Sequence, residues 1–353
     1  SQAVVKIKDD SEYAKKAEEL EQRLHAQRNH PVKSLTTGLM AIERSRKTGL
    51  PATTIKYAQD KKEKDEYLDE GIVAKRNEKG CDLYRKLTGE DIKTGNRAYD
   101  TKDLTGHNDW IAVIHADGNG LGEVVAELSG DYQRFKDFSD NLDKATIAAA
   151  QAAYTATKEK EEDEKANRTL EKLKIRPIVI GGDDLTVICR GDLAVKFVKE
   201  YLEAFEKETK ERIGKKLTAC AGIAFIKSSY PFYYGYLAEA LCGEAKKDAK
   251  SDKVKKANGN QAPSCLMFHK VQSSFVEDYA EIKRKELTTV DGGSLCFGPY
   301  YLNKESVDKV KDRERWTIKE LSETVDKLNK EDNNRVKTAI RQWLTLMHED
   351  AGD

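Results

Sequence analysis

The sequence lacks any closely spaced pair of cysteines. Its six (Cys81, Cys189, Cys220, Cys242, Cys265 and Cys296) stand far apart, several inside apolar runs, with no CxxC and no Cys/His ligand spacing. That disfavours a zinc site, and reduced, mostly buried thiols are expected. A charge imbalance is also missing: lysine plus arginine and aspartate plus glutamate each number 62. No global basic field for long nucleic acid exists, so any such contact must be local. No run approaches the roughly 18 apolar residues of a membrane span, and the N-terminus has no apolar signal-peptide core. The expectation is a cytoplasmic protein with no membrane partner. The chain opens on Ser1 rather than methionine, which implies processing, a trimmed tag or a fragment.

What is present is 353 residues, enough for one large domain or two. Residues 3–8 (AVVKIK) alternate as a short strand, residues 11–28 read as a charged amphipathic helix, and residues 39–42 as another strand. The order AVVKIKDDSEYAKKAEEL, then SLTTGLMAIE, is echoed weakly by AGIAFIKSSYPFYYGYLAEAL and SCLMFHKV later in the chain. A degenerate duplication leaves such an echo, and so does chance similarity between two strand–helix units. Under duplication, residues 1–45 are the back half of a first domain whose front half has been cut away or comes from another polypeptide. Residues 46–108 are polar and read as an irregular surface connector.

From Trp110 the pattern becomes regular. A strand at 110–115, helices from about 121 and at 135–154, a hairpin of strands 175–180 and 185–189, a helix at 193–213, a strand at 217–226, a helix at 236–249 and a strand at 264–269 are expected. The charged residues 155–172 interrupt this order, and residues 307–348 carry helical periodicity. The fold class expected is α+β, a ferredoxin-like β-α-β-β-α-β unit whose antiparallel sheet is covered by helices on one face, with a C-terminal helical appendage.

Two glycine turns bear the chemistry. The strand DWIAVIHA runs into DGNGLG at Asp117, and IVI runs into GGDD, followed by LTVI. Neighbouring strands lie about 4.8 Å apart, so the turns are able to bring Asp117, Asp183 and Asp184 to one sheet edge, where carboxylates suit hard divalent cations. Gly118, Gly120 and Gly122 open a helix whose amides suit phosphate, and Gly181 and Gly182 permit a tight hairpin that admits a nucleotide. Lys246, near a helix C-terminus, either reaches a triphosphate or is a solvated residue favoured by the macrodipole. Asn119 either bonds a base or ribose or accepts a left-handed turn. His115 and His269 end apolar strands, where packing roles are expected, and Ser139 reads as a helix residue with no histidine placed beside it.

HADGNGLG, IGGDDLTVI, LTACAGIAFIKSSYPF, AEALCGEAK and SCLMFHKV, in this order over about 160 residues, resemble the second palm domain of the large subunit of type III CRISPR effector complexes, akin to GGDEF-type cyclases and polymerase palms. TGLPATT and YLDEGIVAKRNEK resemble the connector of stand-alone relatives. The resemblance implies a GGDD palm at 109–275 and a helical region at 276–353, with residues 1–45 as a remnant or half of a first palm. It further implies an antiviral nucleotidyltransferase that joins NTPs, typically ATP, into cyclic or linear oligoadenylates with Mg²⁺ or Mn²⁺. Asp117, Asp183 and Asp184 would then be catalytic metal ligands. The Gly118–Gly122 turn with Asn119 would contact nucleotide, as would Gly181 and Gly182, and Lys246 would contact phosphate. A homodimer, a partner palm subunit or an RNA-guided effector complex is the implied assembly. The chain departs from many relatives in having no His-Asp pair and no cysteine pairs in its connector. The alternative is a palm scaffold that binds nucleotide or partner subunits without turnover. A diguanylate cyclase fits less well, because Asp184 stands where those enzymes carry glutamate.

Overall fold

A computed structural model describes residues 2–30, 41–56, 65–77, 82–105, 109–128, 130–158, 173–230, 235–272, 278–289, 292–330 and 334–349. The chain divides into two compact units, Ser1–Asp82 and Leu83–Asp353. In the first, α1 (Tyr13–Asn29) follows a 3₁₀ turn, β1 (Thr54–Lys56) pairs antiparallel with β2 (Glu66–Leu68), and α2 (Glu70–Asn77) follows. The strand expected at 3–8 does not form. Its alternation has no partner ladder; Arg23 of α1 donates to the Val4 carbonyl at 3.1 Å and the Gln27 side chain accepts from Gln2 N–H at 3.0 Å, which leaves Val4 82% exposed. Of the strand expected at 39–42, Leu39 and Met40 lie outside the described residues and Ala41 and Ile42 are not extended in a ladder. The stretch expected to be irregular holds the β1–β2 ladder and α2 instead.

The second unit begins with α3 (Leu83–Thr88), followed by β3 (Trp110–Gly118), α4 (Leu121–Leu128), α5 (Tyr132–Thr157), β4 (Ile175–Gly181), β5 (Asp184–Arg190), α6 (Ala194–Ile213), β6 (Ala219–Lys227), α7 (Tyr236–Ala249), α8 (Asp252–Ala257) and β7 (Cys265–Lys270). After these come α9 (Tyr279–Glu286), β8 (Tyr300–Tyr301), α10 (Ile318–Asn329) and α11 (Asn334–Glu349). The expected order of strands and helices is present, and the six strands align as β4-β5-β3-β6-β7-β8. The charged stretch at 155–172 starts as the last turn of α5, and residues 159–172 lie outside those described.

β3 is the central strand, antiparallel to both β5 and β6. Its alternate residues serve two cores: Ala112, Ile114 and Ala116 face α5 and α6, while Ile111 and Val113 face α7. α5 presents Ala149, Ala150 and Ala153, small residues that admit α6 closely, and α6 answers with Phe197, Val198, Tyr201, Leu202 and Phe205 at helical spacing. Helices therefore cover both faces, not one. The cause is the crossover through α7 from β6 to β7, which are parallel; a parallel pair needs such a connection, and here it runs over the face opposite α5 and α6.

The C-terminal region is more than a helical appendage. β8 adds a sixth strand by pairing Tyr301 with Cys265 and Tyr300 with Leu266, and Tyr301 and Ile318 are fully buried. Asp248, at the end of α7, accepts from Arg313 at 2.9 Å, from Arg315 at 3.1 Å and from the Tyr301 hydroxyl. A two-residue strand is too short to leave a period in the sequence. At the other end, Leu87 of α3 and Leu104 are buried in the two cores, so the packed unit reaches past both 109 and 275.

Gly222 sets the seat of α7. A Cβ there would run into the Ala238 carbonyl and lie 2.5 Å from Cys242 N, whereas Gly243 of the same helix has open space. Gly222→Ala is expected to cost about 3 kcal/mol through overpacking against backbone. Gly243→Ala is expected to add about 0.5–1 kcal/mol through helix propensity. Urea unfolding of the two variants reads both signs.

Candidate active site

Strand register builds the acidic edge. β3 and β5 pair His115 with Thr186 and Ala116 with Leu185, so the next pair in the ladder sets Asp117 across from Asp184. Alternation puts His115, Asp117, Asp184 and Thr186 on the face covered by α7. One ligand atom each from His115, Asp117 and Asp184 falls within 4.8 Å of the others. His115 Nδ1 lies 3.0 Å from Thr186 Oγ1. The packing role expected of His115 thus gives way to a place beside the carboxylates; its two-residue spacing from Asp117 was the signal for it.

Asp183 joins this group from the hairpin turn and shares a hydrogen bond with Asp117. Gly118 makes that approach feasible, since a Cβ on it would lie 2.5 Å from Leu121 Cδ1 and 3.0 Å from Asp183 Cβ. The hairpin itself turns at Gly182, whose φ of 61° suits glycine. Behind the turn, Thr146 donates to the Gly182 carbonyl, Asp143 accepts from Gly182 N–H at 3.2 Å, and Lys86 donates to the Ile180 carbonyl at 3.1 Å. Asp143 and Thr146 sit one turn apart on α5, so the helix that fills the core also braces the hairpin. These three supports were missed in the sequence, where nothing ties them to GGDD.

Lys246 reaches across from α7. Its ammonium is ion-paired with Asp117 and donates to the Gly118 carbonyl at 2.8 Å. Of the two sequence readings of Lys246, the solvated one is excluded. Asn119 is buried; its side-chain amide donates to Thr218 Oγ1 at 3.2 Å and to Cys220 Sγ at 3.3 Å, and its N–H donates to the Thr218 carbonyl at 2.8 Å. It neither adopts a left-handed conformation, which falls to Gly120, nor turns its amide outward. Asn119 pins the turn to β6.

A cleft of about 810 Å³ opens beside the acidic edge. The 117–124 turn and Asp183 form one wall; Lys215, Lys216, Lys250 and Lys255 with Asn260 and Gln261 supply the other. Gly118, Gly120 and Gly122 line it, while Gly181 and Gly182 do not. The lysines come from the α6–β6 link and the loop around α8, where a run of surface lysine gives no sign of convergence.

Burial, followed by the adjoining Asp117, pushes the Asp183 carboxyl up to about 6. Asp184 is also raised, by burial and then by the Asp117 charge. The donor set of two carboxylate oxygens and an imidazole nitrogen fits a divalent cation such as Mg²⁺ or Mn²⁺. Without a cation, the folded state holds the Asp183 proton to about pH 6, whereas an unfolded aspartate releases it near ~3.9. The unfolded chain then binds fewer protons between these values, so stability falls as pH rises through that window. Metal-free protein is expected to melt lower at pH 7 than the Asp183→Asn variant, a gap that closes toward pH 4 in thermal scans.

With this geometry in place, the likeness to known proteins takes a definite form. Residues 110–257 match the family described as Cas10/Cmr2, second palm domain. No curated protein sequence matches the chain. Among solved structures, a Csm1–Csm4 cassette in complex with cA4 aligns at 18% identity and TM-score 0.31 over 39% of this chain and 20% of that one. Csm1 in T. onnurineus aligns at 16% identity and TM-score 0.34 over 49% and 24%. The aligned part thus spans about a fifth to a quarter of those proteins' length. No helix among the described residues is long and apolar enough to cross a membrane. Five described cysteines are free, four of them buried, and Cys81 lies outside the described residues. Residues 110–257, which hold β3 to β6 and the two acidic turns, are the part of this chain that matches the Cas10/Cmr2 second palm domain family.

Proposed function

We propose that this palm is a nucleotidyltransferase that joins nucleoside triphosphates, ATP first among them, into a cyclic or linear oligonucleotide messenger of type III CRISPR defence. The observation that carries it is the meeting of Asp117, Asp183 and Asp184 beside a lysine-walled cleft that Asp117 and Asp183 line. Asp117, Asp184 and Asp183 would hold the cations, with His115 beside them. When bound, such cations neutralise phosphate charge and clamp the attacking and leaving oxygens. A ribose 3′-hydroxyl gives its proton to solvent water as its oxygen forms the new bond to the α-phosphorus of a second nucleotide, the bridging bond to the β-phosphate breaks, and pyrophosphate leaves.

The residues of the chain orient these groups. Lys246, beside Asp117 and the Gly118 carbonyl, would offer its ammonium to a phosphate oxygen were a cation to hold the Asp117 carboxylate. Main-chain N–H groups of Gly120 and Gly122 at the start of α4 suit phosphate, as a helix N-terminus does. Lys215, Lys216, Lys250 and Lys255 give the cleft the charge to hold a polyphosphate tail. Cytoplasmic placement, with a second copy, a partner palm or an RNA-guided complex supplying the opposing nucleotide, belongs to the same reading.

A second reading, a palm scaffold that binds nucleotide or neighbouring subunits without turnover, has one observation in its favour. Among the described residues, the Ser1–Asp82 unit holds a single long helix, a short one and a three-residue ladder, with no second palm sheet. Mass spectrometry after incubation with each NTP and Mg²⁺ or Mn²⁺ separates the two. Oligonucleotide and pyrophosphate are expected from the intact chain and none from Asp183→Ala/Asp184→Ala. Lys250→Ala/Lys255→Ala is expected to raise KM about tenfold, the equivalent of one charge-assisted contact. Metal-dependent nucleotide binding without product selects the scaffold.

A further inference from the structure

A second pocket, of about 460 Å³, lies away from the acidic edge. Residues 267–270 of β7 line it, with Tyr300, Phe297 and Glu286 around them. Successive strand residues point to opposite faces, so a pocket touching four in a row abuts the edge of the strand. Asp117 is level with Cys220 of β6, whereas Lys270 is level with Phe225; five strand residues separate the two places by roughly 16 Å along the sheet.

That edge is open. β7 pairs with β8 only through Cys265 and Leu266, and no other described strand lies beside it. The Ser264 carbonyl accepts from Leu302 on the β8 side, and Val271 N–H donates to Phe225 on the β6 side, both at 2.9 Å. Strand alternation then turns the main-chain groups of Phe268 and Lys270 outward. The Phe268 carbonyl and the Lys270 N–H stand as acceptor and donor side by side, with no backbone partner among the described residues. Phe268 and Tyr300 stack at 5.5 Å and 14° beside them, and Phe297 is 62% exposed at the mouth.

We propose that this pocket binds the adenine base of a nucleoside or nucleotide without metal. The exocyclic amine donates to the Phe268 carbonyl, a ring nitrogen accepts from Lys270 N–H, and an aromatic ring supplies a stacking face. An extended peptide fits less well, because only two residues face outward and the volume is that of a small-molecule site. The Lys270 ammonium sits over the Trp110 ring at 4.3 Å, so the base rather than a phosphate is the group recognised.

The test uses the full chain carrying Asp183→Ala/Asp184→Ala, in EDTA, so that failure at the acidic edge and failure here are told apart. Equilibrium dialysis with labelled adenosine is expected to show one site per chain. Phe297→Ala should weaken it about tenfold, the lower part of the range for a lost stacking face. Lys270→Pro removes the outward N–H at an edge that tolerates proline and should abolish binding, while Lys270→Ala keeps the N–H and the affinity. N6,N6-dimethyladenosine, which has no amine hydrogen, should bind at least about tenfold more weakly. Absence of adenosine binding, or binding indifferent to Phe297→Ala and Lys270→Pro in folded variants, overturns the proposal. So does capture of an extended peptide in place of adenosine.

Discussion

The ion pair between Lys246 and Asp117 joins α7 to the central strand, and the acidic edge depends on it. Three carboxyls cannot share one edge of a sheet as bare charges. Here one is offset by an ammonium and another retains its proton to about pH 6. Asp117 and Asp184 would be the residues to hold a cation, which would there take over the neutralising part that the lysine and the proton play. Without one, the acidic edge is neutralised by the chain's own residues.

Keeping those groups in place is the work of close packing. Gly222 lets α7 lie against β6 so that Lys246 reaches the turn, and Gly118 lets Asp183 close on Asp117. Asn119 holds one turn to β6, while Thr146, Asp143 and Lys86 hold the other from the side of α5. The carboxylates are thus carried by short turns whose main chains are bonded to rigid elements. The C-terminal segment takes part through Arg313, Arg315 and Tyr301, which grip Asp248 two residues beyond Lys246.

Much of this was legible in the sequence because strands and their turns carry local signals. The strand into Asp117, the GGDD hairpin and the α5 and α6 periods all appear in the structure, and Asp117, Asp183, Asp184, Gly118 and Lys246 come together. What was not legible is set by contacts distant in sequence. AVVKIK has the alternation of a strand but no ladder to join. Tyr300 and Tyr301 form a strand only because β7 offers an edge, and α7 takes the far face only because β6 and β7 are parallel. Lys86, Asp143 and Thr146 have no motif, since their roles are defined by a turn up to 94 residues away. His115 ends an apolar strand, which points to packing, although its spacing from Asp117 places both on one face.

Mn²⁺ titration followed by electron paramagnetic resonance tests the central claim most directly, because it reads the site itself without asking for turnover. The account predicts binding by the intact chain that tightens from pH 5 to pH 7, as the Asp183 proton is lost, and that is lost in Asp117→Asn and Asp184→Asn variants with unchanged folding. Binding that is equal in the intact chain and both variants, or flat across that pH range, would contradict a metal centre built from the two acidic turns.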